Sequence, residues 1–246
     1  MSRPIDQEPI RIPFEDKIGR GHIISYYQFQ PNFGDAPATP NNMRLLDDIF
    51  NIVAVSLPIF AENNEGHDIL TNYLSETSQI AIISSVDDPN KIEGYYLFRQ
   101  IEVPYDQESK SVLYIGSVAI SPEMRNTGLI QASQEILARR LKPDIIAATT
   151  INPALYKAYE RVAQNLGYSL YPRQDEPTNL PIVDLARRIL MALFNQDPTL
   201  LDDDFVRRGY TSSHHQETIP YLGFNFFENT LRLSPQDGVL CILIKN

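Results

Sequence analysis

Residues 121–130, SPEMRNTGLI, place a basic side chain three positions before a glycine. An apolar stretch precedes this segment and a helical pattern follows it, so Arg125 and Gly128 are predicted to lie in a strand-to-helix turn. The first amides of a helix have no intrahelical partner and lie at the positive end of the helix dipole, so such a turn can bind an anion. An Arg-x-x-Gly pair alone is also typical of a plain connecting turn.

The charge distribution is compatible with a local anion site. Six basic and four acidic residues between positions 120 and 165 give this region a net charge of +2, whereas the chain as a whole carries −10. Nucleic-acid binding requires clustered Lys and Arg that displace counterions, so we predict no nucleic-acid partner.

Metal and thiol chemistry receive little support from the sequence. His214 and His215 are adjacent, so on a strand they would face opposite sides, and no Cys or Glu lies at ligand spacing. Cys241 is the single cysteine and lies in the apolar run VLCILI, where a small buried side chain is expected. We therefore predict no metal site, no internal disulfide and a reducing compartment.

The predicted elements form an α+β domain. Strands are predicted for QIAIISSV, KIEGYYLFRQIEV and SVLYIGSVAI, which are rich in Ile, Val and Tyr, and the turn segments DDPN and PYDQESK favour an antiparallel meander. A helix follows Gly128 and ends before Pro143, and DIIAATT is a short buried strand. Asn152-Pro153 begins a second helix that Gly167 closes, and YSLY follows as a strand.

The remaining segments are less regular. Residues 31–42 are expected to form a loop, residues 46–57 and 67–74 helices, residues 182–193 a helix, and residues 238–245 a final strand. The N-terminus has no apolar signal segment, and Ile49–Phe60 is too short to span a bilayer, so we predict a cytoplasmic protein without a membrane partner. The predicted fold is a mixed, mostly antiparallel sheet flanked by helices in one domain, 1–246, with residues 172–236 as an elaboration.

The turn and the downstream motifs together resemble the GNAT superfamily of N-acyltransferases, over about residues 43–171. That family has a loop of pattern Arg/Gln-x-x-Gly-x-Gly/Ala, and Arg125 and Gly128 match its first two fixed positions, whereas Ile130 replaces the third. Asn152 matches a family Asn, and Tyr159 matches a family Tyr seven residues later. Gly167-Tyr168 matches the Gly-aromatic pair near the helix end.

The resemblance implies direct attack of an amine on an acyl thioester, with acetyl-CoA or another acyl-CoA as donor and no metal. The cofactor-binding residues that it implies are Val118, Ala119, Ile120, Arg125, Asn126, Thr127, Gly128, Leu129, Ile130 and Asn152. Tyr159 would protonate the leaving thiolate. We expect a base that accepts the proton of the attacking amine, and Glu102 and Glu93 are the first candidates. Each of them could equally be a solvent-exposed carboxylate on a strand without a catalytic role.

Two alternatives remain open at this stage. Ile130 is compatible with an acyl carrier protein as donor, as in enzymes of this family that make N-acyl amino acids or acyl-homoserine lactones. The long elaboration is compatible with a GNAT-like module that senses a ligand without turnover. The acceptor amine and the oligomeric state, for which a dimer is one option, are not encoded in a recognisable motif.

Overall fold

The structure is a computed structural model that describes residues 9–27, 47, 49–52, 79–174, 176, 179–194, 198–208, 231, 233 and 237–246. Its strands are β1 (Ile10–Glu15), β2 (Gly21–Tyr27), β3 (Gln79–Ser85), β4 (Ile92–Tyr105), β5 (Glu108–Ile120), β6 (Ile145–Thr150), β7 (Tyr168–Tyr171), β8 (Val206–Arg207) and β9 (Gly238–Lys245). Its helices are α1 (Leu129–Leu141), α2 (Pro153–Leu166) and α3 (Leu180–Phe194), and 3₁₀ turns cover Pro122–Met124 and Pro198–Leu200.

The chain divides into two compact units. The first comprises Met1–Arg99 and Ile115–Ile136, and the second Gln100–Tyr114 and Leu137–Asn246. Strands β4 and β5 and helix α1 therefore contribute residues to both units.

The first unit is built on antiparallel strands in the order β1-β2-β3-β4. One face of β3 and β4 carries a core of Ile80, Ile82, Tyr95 and Leu97, against which the helical residues Ile49 and Ile52 pack. The ladder between β3 and β4 shifts register, because Ile83 pairs with Gly94 whereas Ser84 pairs with Ile92. Glu93 is the extra residue of this β-bulge, a feature that redirects a side chain.

The second unit places β9 between β6 and β7, antiparallel to both. Strands β6 and β7 therefore run in the same direction, and α2 connects them. The apolar face of α3 contributes seven buried residues to the core formed with β5, β6 and β9: Ile182, Val183, Leu185, Ala186, Ile189, Leu190 and Leu193.

The predicted fold class, a mixed sheet flanked by helices, is confirmed. The strands predicted from residue 79 onward and the helices after Gly128 and Asn152 are all present. Gly167 ends α2 in the left-handed conformation, with φ of 73°. Cys241 is buried, as expected, and burial raises the pKa of its thiol.

The sequence interpretation missed the N-terminal hairpin of β1 and β2. Its first strand contains Pro13, a residue that argues against a strand interior, and every residue of this strand is exposed or half-buried. The predicted loop 31–42, the helix 67–74, most of the helix 46–57, and His214 and His215 lie outside the described residues. The single-domain boundary stays a prediction. No helix in the described part of the chain is long and apolar enough to cross a membrane.

The α3 core contact gives a direct test of the second unit. Leu190→Ala removes a side chain that is 2% exposed, and we expect the free energy of unfolding to fall by about 2–5 kcal/mol. Met191→Ala, at the adjacent position that is 50% exposed, is expected to change it by less than about 0.5 kcal/mol. Urea unfolding measures both, and equal effects would contradict the packing of α3.

Candidate functional site

The turn between β5 and α1 belongs to the first unit and is fixed at several points. The N–H of Ser121 donates to the carbonyl of Glu93 at 2.8 Å, which holds the end of β5 against β4. The Thr127 hydroxyl donates to the Met124 carbonyl at 2.9 Å and accepts from the N–H of Leu129 at 3.3 Å. Thr127 thereby caps the start of α1, which is a role that its hydroxyl suits.

Most of the amides in this turn have no partner. Within the described ranges, no acceptor is hydrogen-bonded to the backbone N–H groups of Asn126, Thr127, Gly128, Ile130 and Gln131. Asn126 and Gly128 have φ values of 65° and 81°, and alternating positive φ values turn successive amides toward one concave surface. Such a concavity at a helix start is suited to an anion with several oxygens, such as a phosphate.

The other face of α1 is tied to the sheet. The Tyr96 hydroxyl donates to the carbonyl of Ile130 at 2.9 Å and lies 2.7 Å from the Ser133 hydroxyl. Burial raises the pKa of Tyr96, so its phenol stays protonated as a donor. This bond holds the first turn of α1 against β4.

Lys17, in the turn between β1 and β2, packs directly on this loop. Its N–H donates to the Thr127 carbonyl at 3.1 Å. A Cβ on Gly128 would lie 2.5 Å from Cδ of Lys17 and 2.6 Å from its Cγ. Glycine is therefore favoured at position 128 for two reasons. Its φ is positive, and the stem of Lys17 occupies the space in which a side chain would lie.

A buried ionic network holds that hairpin turn. Nδ1 of His22 lies 2.7 Å from Oε2 of Glu93, and its Nε2 makes a 3.2 Å ion-pair contact with Oδ2 of Asp16, outside hydrogen-bond geometry. Each ring nitrogen of His22 therefore faces one carboxylate. Asp16 also accepts from the N–H groups of Ile18 at 3.0 Å and Arg20 at 2.9 Å.

The pKa of Asp16 reflects opposing causes. Burial raises it, but hydrogen bonds from the N–H groups of Arg20 and Ile18, together with the close contact of the His22 ring, hold the pKa below its ordinary value. The carboxylate is thus stabilised in its charged form within the turn.

The structure places the predicted site residues in two groups. Val118, Ala119 and Ile120 are half-buried at the end of β5, in the first unit with the loop and Glu93. Glu93 is buried against His22.

The second unit contains Asn152, Tyr159 and Glu102. Asn152 caps α2, its side chain accepting from the N–H of Ala154 at 2.9 Å. Tyr159 is 1% exposed on that helix, and Glu102 is exposed and accepts from the Ser109 hydroxyl at 2.8 Å. Their catalytic or binding roles stay predictions.

The second unit has polar features that the sequence reasoning did not single out. Arg207 is buried, its guanidinium lies 5.0 Å from the centre of the Phe194 ring, and its Nη1 is 3.5 Å from the Thr149 hydroxyl. The Tyr114 hydroxyl lies 3.5 Å from the same Thr149 oxygen. An open cleft of about 740 Å³ is lined by Tyr105 on β4 and by residues of α3, and it contains none of the predicted site residues.

Lys17, His22 and Asp16 were also missed at the loop. The sequence FEDKIGRGH carries charged residues around Gly19 and Gly21, the turn chemistry of a hairpin, and the alternation of IRIPFE and HIISYY on either side was the signal available. That signal predicts a hairpin but not its contact with residue 128.

Comparisons with known proteins give matches in structure. Neither a protein-family model nor a curated protein sequence matches the chain. The solved structures that match include a GCN5-related N-acetyltransferase from Kribbella flavida, with a TM-score of 0.34 and 15% identity over 60% of this chain. This chain covers 33% of the Kribbella protein, about a third of its length.

Two further matches have similar values. An acetyltransferase of the GNAT family from Listeria monocytogenes matches with a TM-score of 0.38 and 13% identity, over 67% of this chain and 95% of that protein. The catalytic domain of Tetrahymena GCN5 histone acetyltransferase in complex with coenzyme A matches with a TM-score of 0.37 and 12% identity, over 63% of this chain and 81% of that domain. All three matched proteins are named as acetyltransferases.

The contact between Lys17 and Gly128 predicts an unequal response of two glycines. Gly128→Ala incurs about 1 kcal/mol for positive φ and roughly another 0.5–1.5 kcal/mol for pushing the flexible stem of Lys17 out of its rotamer. Gly167→Ala incurs only the first cost, because no atom lies within 4 Å of its added Cβ. Adding Lys17→Ala to Gly128→Ala should remove the excess in urea unfolding, and an unchanged excess would contradict the packing.

The lowered pKa of Asp16 predicts a pH-dependent loss of stability. The contribution of its carboxylate is present above the unfolded pKa of about 3.9 and is lost as the pH falls through the lower folded value. Asp16→Asn should reduce the free energy of unfolding by roughly 3 kcal/mol near pH 7, and this difference should shrink below about pH 4. Asp88→Asn, in an exposed turn where Asp88 accepts from the Asn90 N–H, is the control; a deficit of D16N that persists at low pH would refute the assignment.

Proposed function

We propose that the protein is a GNAT-type N-acyltransferase that moves an acyl group from a coenzyme A thioester to an amine by direct attack. The observation that supports this best is the group of five amides between residues 126 and 131, all except that of Leu129, which have no partner among the described residues and follow Arg125. Arg125 is exposed and has no ion-pair partner within the described ranges. A diphosphate ester supplies oxygens for several amides and negative charge for the helix start and the guanidinium.

The proposed reaction forms a bond between the amine nitrogen and the acyl carbon and breaks the bond between that carbon and sulfur. The departing thiolate needs little assistance because a thiol has a pKa of about 8.5, and Tyr159 is the proposed proton donor. The proton lost by the amine must pass to a base. Glu93 is already engaged with His22, so the exposed Glu102 is the carboxylate that we propose for this step.

The half-buried Ile130 favours one second candidate. A branched side chain at the third small position of the loop limits how closely a nucleotide diphosphate can approach the backbone. Acyl carrier protein carries its thioester through a single phosphate instead of a nucleotide diphosphate, so it is the alternative donor. The acceptor amine, the acyl chain length and a cytoplasmic location stay predictions of the same proposal.

Calorimetry on the full chain with acetyl-CoA tests the proposed donor. Wild-type protein is expected to bind acetyl-CoA, and Ile130→Ala is expected to tighten binding, because it restores a small residue at that position. Ile136→Ala, a half-buried isoleucine two turns along α1, is the matched control and should leave affinity unchanged.

A measurement of product formation distinguishes the two donors and the ligand-sensing alternative. Mass spectrometry of an amine panel with acetyl-CoA should detect an acylated product, whereas product only with acyl carrier protein would select the second donor. Absence of binding to both donors would contradict acyl transfer. Binding without product from any amine of the panel would favour a ligand-sensing module.

A further inference from the structure

The N-terminal hairpin places a lysine side chain across the anion loop. The stem of Lys17 lies over Gly128, with Cγ, Cδ and Cε between 2.5 and 3.1 Å from the position of an added Cβ, and its backbone N–H is bonded to Thr127. The ammonium is one bond beyond Cε. It therefore lies beside the same turn that carries the unpaired amides.

The charge of Lys17 is not neutralised within the described part of the chain. Lys91 pairs with Glu123 at 3.3 Å, Lys157 pairs with Glu160 at 2.9 Å, and Lys110 pairs with Glu108. Among the described residues, neither Lys17 nor Arg125 has such a carboxylate partner. Two uncompensated cations thus flank five unpaired amides in a chain whose net charge is −10.

The lysine is held in this place by the buried network beneath it. Asp16 and His22 are each at most 6% exposed, and Glu93 is 5% exposed. Burying three ionisable groups is unfavourable unless they are mutually paired, so the network specifies one position of the hairpin turn. The backbone of Lys17 is thereby fixed beside the loop, while its side chain is exposed and can reach a bound anion.

Buried polar atoms next to the loop also point to a ligand. Gln131 and Gln134 are 6% and 3% exposed, yet Oε1 of Gln131 and both amide atoms of Gln134 have no hydrogen-bond partner. Nε2 of Gln131 donates to Oε1 of Glu135 at 2.8 Å, so Oε1 of Gln131 and the whole amide of Gln134 are the groups left unsatisfied among the described residues. Buried polar groups are normally satisfied, and a ligand that extends from the loop along α1 would supply the missing partners.

We infer that Lys17 is a phosphate ligand of the loop, supplied by the N-terminal hairpin, for a phosphate ester of the coenzyme A type. This rests on the proposed function for the identity of the ester, but not for the anion itself. The ammonium would add a charged contact to those that Arg125 and the loop amides can make with the phosphate oxygens.

Calorimetry with coenzyme A, dephospho-coenzyme A and inorganic pyrophosphate tests the inference on the full chain. Lys17→Met keeps an unbranched apolar stem over Gly128 and removes only the charge. It is expected to weaken all three ligands roughly tenfold and to flatten the salt dependence of affinity. Lys17→Arg should retain most of the affinity, and Lys110→Met, which also removes one exposed positive charge, should match wild type.

Each outcome separates this inference from the proposed function. If coenzyme A binds wild type and K17M equally, the assignment of Lys17 is wrong although the donor proposal stands. If pyrophosphate binding depends on Lys17 but coenzyme A does not bind, the inference stands and the donor proposal fails. Tighter binding by K17M would mean that the lysine obstructs the loop, and no binding of any ligand to wild type would refute both.

Discussion

The interactions of the first unit converge on the start of α1, where five backbone amides have no partner among the described residues and the chain around them is held by hydrogen bonds. Unpaired N–H groups are unfavourable unless solvent or a ligand satisfies them. The hydrogen bonds that hold this turn are made by other atoms and do not use these amides. Thr127 caps only Leu129, Tyr96 holds the carbonyl of Ile130, and Ser121 is bonded to Glu93. Rigid, outward-facing amides are what a tightly bound phosphate requires, because little reorganisation then accompanies binding.

The N-terminal hairpin serves the same constraint from the opposite side. The β-bulge turns Glu93 toward His22, and His22 joins Glu93 to Asp16, so a distortion in β4 is linked through three side chains to the turn that carries Lys17. Each contact in this series is short and buried. The hairpin is thereby attached to the unit by ionic contacts as well as by its strand ladder, and its register relative to the loop is fixed.

The sequence predicted those parts of the fold that local pattern determines. Alternating or continuous apolar runs predicted the strands β3 to β7 and β9. Asn152-Pro153 and Gly167 predicted the two ends of α2, because Asn caps the first amides of a helix and Gly adopts the left-handed conformation that ends one. It predicted the turn at Arg125 to Gly128 for the same reason. It did not predict β1, in which Pro13 obscures the alternation, or the contact of Lys17 with Gly128, because a contact between positions so far apart leaves no periodic trace. The roles of Tyr159, Asn152 and Glu102 depend on the resemblance and are not encoded in the geometry of their own elements.

The contact between Lys17 and Gly128 has a consequence for the history of the chain. Gly128 has a positive φ, and in addition the stem of Lys17 fills the space that a side chain at this position would need. Positions 17 and 128 should therefore vary together among relatives that keep the hairpin: a shorter residue at 17 would permit alanine at 128, and relatives without the hairpin would be free of this coupling. The pair of positions would serve as a sequence marker for the presence of the hairpin.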